Sequence, residues 1–302
     1  MRLSTSLPEL GDDSAVAIGN FDGFHLGHQR IIDRLIEFSK KENLQAVILT
    51  FTPHPRIFFN QPVRLISTDL QRRETLSRQP ADVLLFVPFA EVADMEVDGF
   101  ITNVLLDRLR TRWLIVGHDF RFGRGRKGRI ADLRRLSRRL PFLVSEVDPV
   151  RVDGQRVSSS LIRQLLLKGE IRQANRMLGG MYRIDGIVEK GAGRGRQMGF
   201  PTINLRSANQ ILPEGVFHTL VEHRGRRYAS LTNIGYGPTF SRAEKKIETH
   251  ILRFRQSIYG QKVRIFFCRK IRDETTFPTP EALAEQIGKD IAAASFDNGS
   301  RF

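Results

Sequence analysis

Two short segments of this chain combine residue types that can do chemistry on phosphates. The first is GNFDGFHLGH (19–28). His25 and His28 are three residues apart, so a helical start puts them on one face. Gly27 between them has no side chain, which leaves room for a phosphate to approach the backbone. A helix N-terminus adds N–H groups and a dipole that favour anions. Two imidazoles there could donate hydrogen bonds to charge developing on a phosphate under attack. A lone histidine pair is more often ordinary packing or surface, and it could also be part of a zinc site, although no third ligand is evident and the single cysteine, Cys268, is distant in sequence. The second segment is GAGRGRQMGFPTINL (191–205), glycine-rich and basic, then apolar. It lacks the GK[ST] ending of a Walker A loop. Its glycines would let backbone N–H groups line a phosphate site. Thr202 and Asn204 occupy alternate positions of an extended run and so face one side, and hard oxygen donors of that kind suit Mg²⁺. The competing reading is a flexible Gly-Arg-Gly surface loop followed by a Pro-Thr turn.

The elements that must position these groups follow from hydrophobic periodicity. SAVAIG (14–19), QAVILTF (45–51), VLLFVPF (83–89), WLIVG (113–117) and FLVSEV (142–147) read as buried strands. Between them, the segment beginning HLGHQRII has helix period through Leu26, Ile31, Leu35 and Phe38, GFITNVLLDRLR (99–110) is helical, and LRRLSRRL is a basic helix. SSSLIRQLLLKG opens with hydroxyl residues suited to an N-cap and ends in Gly, a short helix. Alternating strands and helices predict an α/β doubly wound parallel sheet. GNFDGFHLGH then sits where the first strand passes to the first helix, at the carboxyl edge where such sheets bind ligands.

The texture changes near residue 180. YRIDGIVEK, GVFHTLVEH, RRYASLTNIG, KIETHILRF and QKVRIFF are strand-like, with a hairpin turning near Arg224-Gly225, and PEALAEQIGKDIAAA is a closing helix. This predicts a small antiparallel β-barrel with a C-terminal helix. The expected domains are 1–180 and 181–302, and 302 residues are enough for two cores.

Bulk properties bound the rest. A lone cysteine cannot form an internal disulfide, the N-terminus lacks a basic-then-apolar leader, and no run approaches the ~18 apolar residues of a membrane span, so a cytoplasmic location is expected. The net charge of +15 is regional. Residues 1–100 carry 10 basic and 14 acidic side chains, whereas 101–180 carry 18 and 7, concentrated in RFGRGRKGR (121–129) and RRLSRR (134–139). Either this face meets a polyanion such as RNA, or it is a solvated basic face on an enzyme whose substrates carry several phosphates. The phosphate-handling segments favour the second, with no specific nucleic acid expected as a partner.

GNFDGFHLGH is similar to the nucleotidyltransferase signature, and its full GxFDGxHxGH form resembles the FAD synthetase branch. TFTPHP (50–55), VGHDFRFGRGRKG (116–128) and VSSSLIR (157–163) follow in that family's order. In the second half, GFPTIN resembles the GxPTxN motif of riboflavin kinases. TNIGYGPTF (232–240), IETHILRF (247–254), IYGQKVRIFF (258–267) and IRDETTF (271–277) match in order. The chain thus resembles the bacterial bifunctional riboflavin kinase/FAD synthetase family over nearly its whole length. It departs from the family's usual residues at Ser160, where Thr is common, at Leu161 and His118, and at Ile203, where Ala is common.

The resemblance implies riboflavin phosphorylation to FMN and adenylylation of FMN to FAD, with ATP as co-substrate, Mg²⁺ as cofactor and riboflavin, FMN and FAD as substrates or products. It implies that His25 and His28 are catalytic and contact ATP phosphates, with Gly19, Phe21, Asp22, Gly23 and Gly27 around them and Ser159, Ser160 and Arg163 on the triphosphate. Pro53, His54, Pro55, Asp119 and Phe120 would hold the flavin, although Phe120 or Phe122 could equally be core. In the barrel it implies ATP binding by Gly191, Gly193, Gly199 and Pro201, Mg²⁺ on Thr202 and Asn204, Glu248 as catalytic base near Asn233, and Arg272 toward the flavin. The rival reading is an RNA-binding protein on a nucleotidyltransferase-like scaffold, whose affinity would fall steeply with salt.

Overall fold

The computed structural model describes residues 1–191, 195, 199–236 and 245–295. The chain divides into two compact units, Met1–Ser158 and Ser159–Phe302. Among the described residues no helix is long and apolar enough to cross a membrane.

The first unit is built on a six-stranded parallel sheet. Its strands are β1 (Arg2–Ser4), β2 (Ser14–Ile18), β3 (Gln45–Thr52), β4 (Val83–Pro88), β5 (Thr111–Gly117) and β6 (Leu143–Val147), in the order β1-β4-β3-β2-β5-β6. Every residue of β2 is buried, as expected of a central parallel strand covered on both faces. Its alternate side chains feed two cores: Val16 and Ile18 join Val47, Leu49 and Leu85 on one face, and Ala15 and Ala17 join Ile48, Leu84 and Ile115 on the other. The helices are α1 (Leu26–Lys41), α2 (Pro55–Phe58), α3 (Asp69–Ser77), α4 (Val97–Gly99) and α5 (Ile130–Leu136). The apolar face of α1, through Ile31, Ile32, Leu35 and Phe38, packs into the second core.

Residues 100–108 are helical as expected and are wound as a π-helix, as in the Leu109 N–H bond to the Val104 carbonyl at 3.0 Å. Two turns of apolar spacing do not separate the two periods. The basic helix needs correction: it starts at Ile130, where Arg129 N–H donates to Asp132 at 3.0 Å, and ends at Leu136. Continuing it would set Arg134 over Arg138 and Arg135 over Arg139, like charges at i,i+4 that oppose a helix.

The second unit opens with α6 (Ser159–Leu167) and α7 (Ile171–Leu178) and continues into a closed antiparallel barrel. Its strands are β9 (Arg183–Glu189), β10 (Thr202–Ser207), β11 (Gly215–His223), β12 (Arg226–Gly235), β13 (Lys246–Ile251) and β14 (Lys262–Arg272), arranged β10-β13-β12-β11-β14-β9; the small β7 (Arg151–Val152) and β8 (Gln155–Arg156) ribbon lies in the first unit. Helix α8 (Pro280–Ser295) follows. The β11–β12 hairpin turns at Arg224 (φ 50°) and Gly225 (φ 76°), the two positive φ values of a type I′ turn. Alternate side chains fill the barrel: Ile184, Val188, Leu205, Phe217, Val221, Ile234, Ile247, Ile251 and Phe267. Inside it, Thr219, Ser230, Thr232 and Thr249 satisfy one another through hydroxyl bonds of 2.8–3.0 Å.

Helix α7 is tied to this barrel. Asn175 Nδ2 donates to the Phe267 carbonyl and its Oδ1 accepts from Tyr182 N–H, both at 2.8 Å, while Ile171, Ala174, Met177 and Leu178 are buried. Burial of each large side chain contributes about 1.5–3 kcal/mol, so α7 adds to the stability of the compact unit that begins at Ser159. A 159–302 fragment should melt at least ~10 °C above a 181–302 fragment, since several large side chains are at stake and ~1 kcal/mol moves Tm by roughly 3–5 °C in domains of this size. Equal melting temperatures by circular dichroism would contradict the docking of α7.

Candidate active sites

The chain leaves β2 outward through β3 and β4, then returns to place β5 on β2's other side. This is a topological switch point, and the loops after β2 and β5 flank its crevice. The loop after β2 is wound tightly. Phe21 (φ 51°), Gly23 (φ 81°) and Phe24 (φ 39°) are all left-handed, a conformation that non-glycine residues hold only when surroundings impose it. The restraints are visible. Phe21 is buried with its ring against Gly19. Asp22 accepts from Ser67 N–H at 3.0 Å and Ile66 N–H at 3.2 Å, and Gly23 N–H donates to Ser67 Oγ at 3.2 Å. Gly19, Phe21, Asp22 and Gly23 therefore shape the turn.

The turn delivers His25 as the N-cap of α1, its Nδ1 accepting from His28 N–H at 3.3 Å. An accepting Nδ1 leaves the proton of the neutral ring on Nε2. The His25 and His28 rings stack at 3.7 Å with a 14° interplanar angle, and Phe21 meets His28 edge-on at 5.3 Å. Gly27 has a second use beside the expected one: a Cβ there would press on the His25 ring at 3.1 Å.

The neighbouring loops carry the other expected residues. After β3 the Thr52–Pro53 bond is cis, Pro53 is exposed, and buried His54 caps α2 with Nδ1 accepting from Arg56 N–H at 3.2 Å, Pro55 being the first helical residue. After β5, Asp119 is exposed and Phe120 half-buried, stacked on Phe122, which is the core member of the pair. Residues 19–28, 53–55 and 119–120 thus share the carboxyl edge of three adjacent strands. Ser159 and Ser160 open α6 in the second unit, with Arg163 one turn on. Sequence reasoning missed Phe58 and Phe59, exposed on and just after α2 and edge-to-face with Phe89 at 5.3 and 5.6 Å. It also missed segment 65–72, whose signal was the Thr68–Gln71 capping box that starts α3.

In the barrel, register assembles a second group. Asn204 on β10 lies opposite Glu248 on β13, and Glu248 lies opposite Asn233 on β12. Directly paired residues share a face, so the three form one row, each half-buried. The alternate residues Ile203 and Thr249 face the other way, with Thr249 inside the barrel. Thr202 is two residues from Asn204 and opposite His250, whose Nδ1 donates to the Pro201 carbonyl at 2.8 Å. Gly199 precedes this stretch, and Gly193 lies outside the described residues. Among the described residues, Asn233 Oδ1 is buried without a hydrogen-bond partner. An oxygen left in that state costs free energy unless something binds it. Hydroxyl and amide oxygens with one carboxylate alongside fit Mg²⁺, which takes few protein ligands.

Gly191 packs directly on the Asn204 amide, and a Cβ there would overlap it. Gly191→Ala should displace Asn204 and lower any phosphoryl transfer that this row supports by about 10²-fold, the order of loss for ~1 Å misplacement. An unchanged transfer rate in this variant would show that the Asn204 position is immaterial.

Arg272, opposite Val216 on β14, is held by α8. Its guanidinium bonds both oxygens of Asp290 at 2.9–3.2 Å and the Asp273 carbonyl at 3.0 Å, and Asp290 is only 3% exposed. Asp290 was not visible from the sequence, being 18 residues away on another element.

Both halves match known families. A model described as FAD synthetase matches residues 8–161, and one described as riboflavin kinase matches residues 178–296. A bifunctional riboflavin kinase/FMN adenylyltransferase from Haemophilus influenzae is 37% identical over 286 residues, covering 93% of this chain and 92% of that protein. One from Escherichia coli is 33% identical over 286 residues, covering 92% and 91%. A crystal structure described as a macrolide-efflux protein from Streptococcus pneumoniae superposes with a TM-score of 0.89 at 28% identity, covering 99% of this chain and 100% of that one.

Proposed function

The chain belongs to the bifunctional riboflavin kinase/FMN adenylyltransferase family, and on that membership we propose that it makes flavin cofactors in two ATP-consuming steps. The barrel half transfers the γ-phosphoryl of ATP to the ribityl 5′-hydroxyl of riboflavin, giving FMN and ADP. The sheet half lets a phosphate oxygen of FMN attack the α-phosphorus of ATP, giving FAD as pyrophosphate leaves. The observation that carries this reading is that the FAD synthetase match, 8–161, encloses the histidine turn with residues 53–55 and 119–120, and the riboflavin kinase match, 178–296, encloses the Asn204–Glu248–Asn233 row.

In the sheet half, His25 and His28 are assigned to the phosphates of ATP, donating to oxygens that gain charge as the α-phosphorus is attacked. Ser159, Ser160 and Arg163 are assigned to the same triphosphate, hydroxyls and a guanidinium being suited to it. Pro53–Pro55, Asp119 and Phe120 are assigned to the flavin, with Phe58 and Phe59 offering aromatic surface to a planar ring. No protein nucleophile is required, because the FMN phosphate supplies its own.

In the barrel half, Glu248 is assigned as the base that accepts the hydroxyl proton of riboflavin. Phosphoryl transfer depends on positioning and charge, with such a residue orienting the nucleophile. Thr202 and Asn204 are the residues assigned to Mg²⁺, which when bound neutralises charge on the transferring phosphates. Arg272 is assigned toward the flavin through the β14–α8 frame that Asp290 fixes. Cytoplasmic location belongs to this proposal, since ATP and free flavins are intracellular metabolites. The exposed basic residues of 121–139 are read as favouring these anionic substrates over RNA.

The purified chain incubated with riboflavin, ATP and Mg²⁺ should yield FMN first and FAD after it on separation of the flavins. FMN without FAD would remove the assignment of the sheet half, and unchanged riboflavin would remove that of the barrel.

A further inference from the structure

Arg72 is an arginine with its side chain 3% exposed, in a unit whose other arginines are mostly at the surface. Burying a charge is costly unless it is paired and hydrogen-bonded, so its bonds indicate its use. Nη1 donates to the Asn20 carbonyl at 3.0 Å and lies 3.5 Å from Thr50 Oγ1. Nη2 donates to the Phe51 carbonyl at 2.8 Å and to Asp69 Oδ1 at 2.9 Å. Thr50 Oγ1, itself buried, donates to the Asn20 carbonyl at 3.3 Å. Burial pushes the Arg72 guanidinium below its usual range, and Asp69 and Asp22 oppose that; an arginine still keeps its proton.

Asn20 lies in the turn that delivers His25 and His28. Phe51 is the residue before Thr52–Pro53–His54. One guanidinium therefore ties the ends of β2 and β3 together at the point where each becomes a loop of the crevice. The same segment grips the first loop again through Ile66 and Ser67, which bind Asp22 and Gly23. A planar fork with five donors reaches carbonyls from two strands and a carboxylate at once. A lysine ammonium has three donors and no such fork.

We infer that Arg72 is a positioning residue of the adenylylation step, setting the spacing between the histidine turn and the Thr-Pro-His-Pro turn. The inference rests on the adenylyltransferase reading of this crevice. If those turns hold different substrates, loosening their spacing changes alignment more than the affinity for either substrate. The effect belongs in kcat, where about 1 Å of misplacement costs ~10²-fold.

The test uses the full chain, with riboflavin phosphorylation measured beside FAD formation from FMN. Arg72→Met keeps bulk and removes every donor. Arg72→Lys keeps the charge and part of the bonding. The expected result is a kcat for FAD formation lower by about 10²-fold in Arg72→Met and about 10-fold in Arg72→Lys, with KM for FMN and ATP within ~3-fold and kinase activity at the wild-type level. A residue that only stabilises the fold would lower the melting temperature and leave kcat per folded molecule unchanged; that result overturns the inference. Because the lysine variant retains charge and partial bonding, an unchanged kcat in it and in any folded Arg72→Met also overturns it. A wild-type chain that makes no FAD overturns the reading of the crevice, and this inference with it. A wild-type chain that makes FAD alongside indifferent Arg72 variants overturns the inference alone.

Discussion

His28→Ala is expected to lower FAD formation from FMN by about 10²–10³-fold, the usual loss for one donor to developing charge, while riboflavin phosphorylation continues at the wild-type rate. The substitution is specific because of how α1 begins. The cap on this helix is the His25 side chain, and it accepts from the backbone N–H of residue 28, which alanine keeps. Alanine is also the best helix former. The variant therefore keeps the helix cap and loses the imidazole, which stacks on His25 at 3.7 Å and meets Phe21 edge-on at 5.3 Å. His25→Ala is the less clean experiment, since it also removes the cap at a cost of about 1 kcal/mol. Steady-state assays of both reactions on the same preparation decide the matter. A folded His28→Ala chain making FAD at the wild-type rate would show that the imidazole takes no part.

Glu248→Gln is expected to lower kcat for riboflavin phosphorylation by about 10²–10⁴-fold, the range for loss of a general base. Glutamine keeps size and polarity but replaces the carboxylate with a weakly basic amide. The fold should not notice. On β13 it is Ile247, Thr249 and Ile251 that face the barrel interior, and Glu248 lies on the opposite face between Asn204 and Asn233. Riboflavin and ATP–Mg should still bind, because Thr202 and Asn204 are untouched, and FMN should still become FAD. A structural residue would give a different pattern, with falling stability and no selective loss of kcat. Full kinase activity in Glu248→Gln would leave the barrel without its assigned base.

Much of this was legible before any coordinates. β2 through β6, β9 and β11 through β14 are strongly patterned, because strands buried on two faces or alternating around a barrel must carry long apolar or period-two runs. The histidine turn was legible because its glycines and histidines cluster within ten residues. Helix α3 was not: its apolar periodicity is weak, and only the Thr68–Gln71 capping box marks its start. Its key side chain, Arg72, looked like one more surface charge, because burial is a property of tertiary structure. Asp22 is expected at the ATP site from its place in the motif, but no motif shows that its oxygens also accept from the backbone of residues 66 and 67. The alignment of Asn204, Glu248 and Asn233 was only half visible. Thr202 and Asn204 share a face by spacing alone, but the row across three strands needs the register, which closure of the barrel decides.

The central claim is that two separate sites in one chain act in succession through FMN, and complementation between two defective chains tests it most directly. Glu248→Gln alone, given riboflavin, ATP and Mg²⁺, should form almost no FMN and hence almost no FAD. His28→Ala alone should stop at FMN. An equimolar mixture of the two should carry riboflavin through to FAD, because FMN released by one chain is taken up by the other. If His28→Ala accumulates FMN and Glu248→Gln converts added FMN, yet the mixture fails to make FAD from riboflavin, the claim of two separable sites linked by FMN is contradicted.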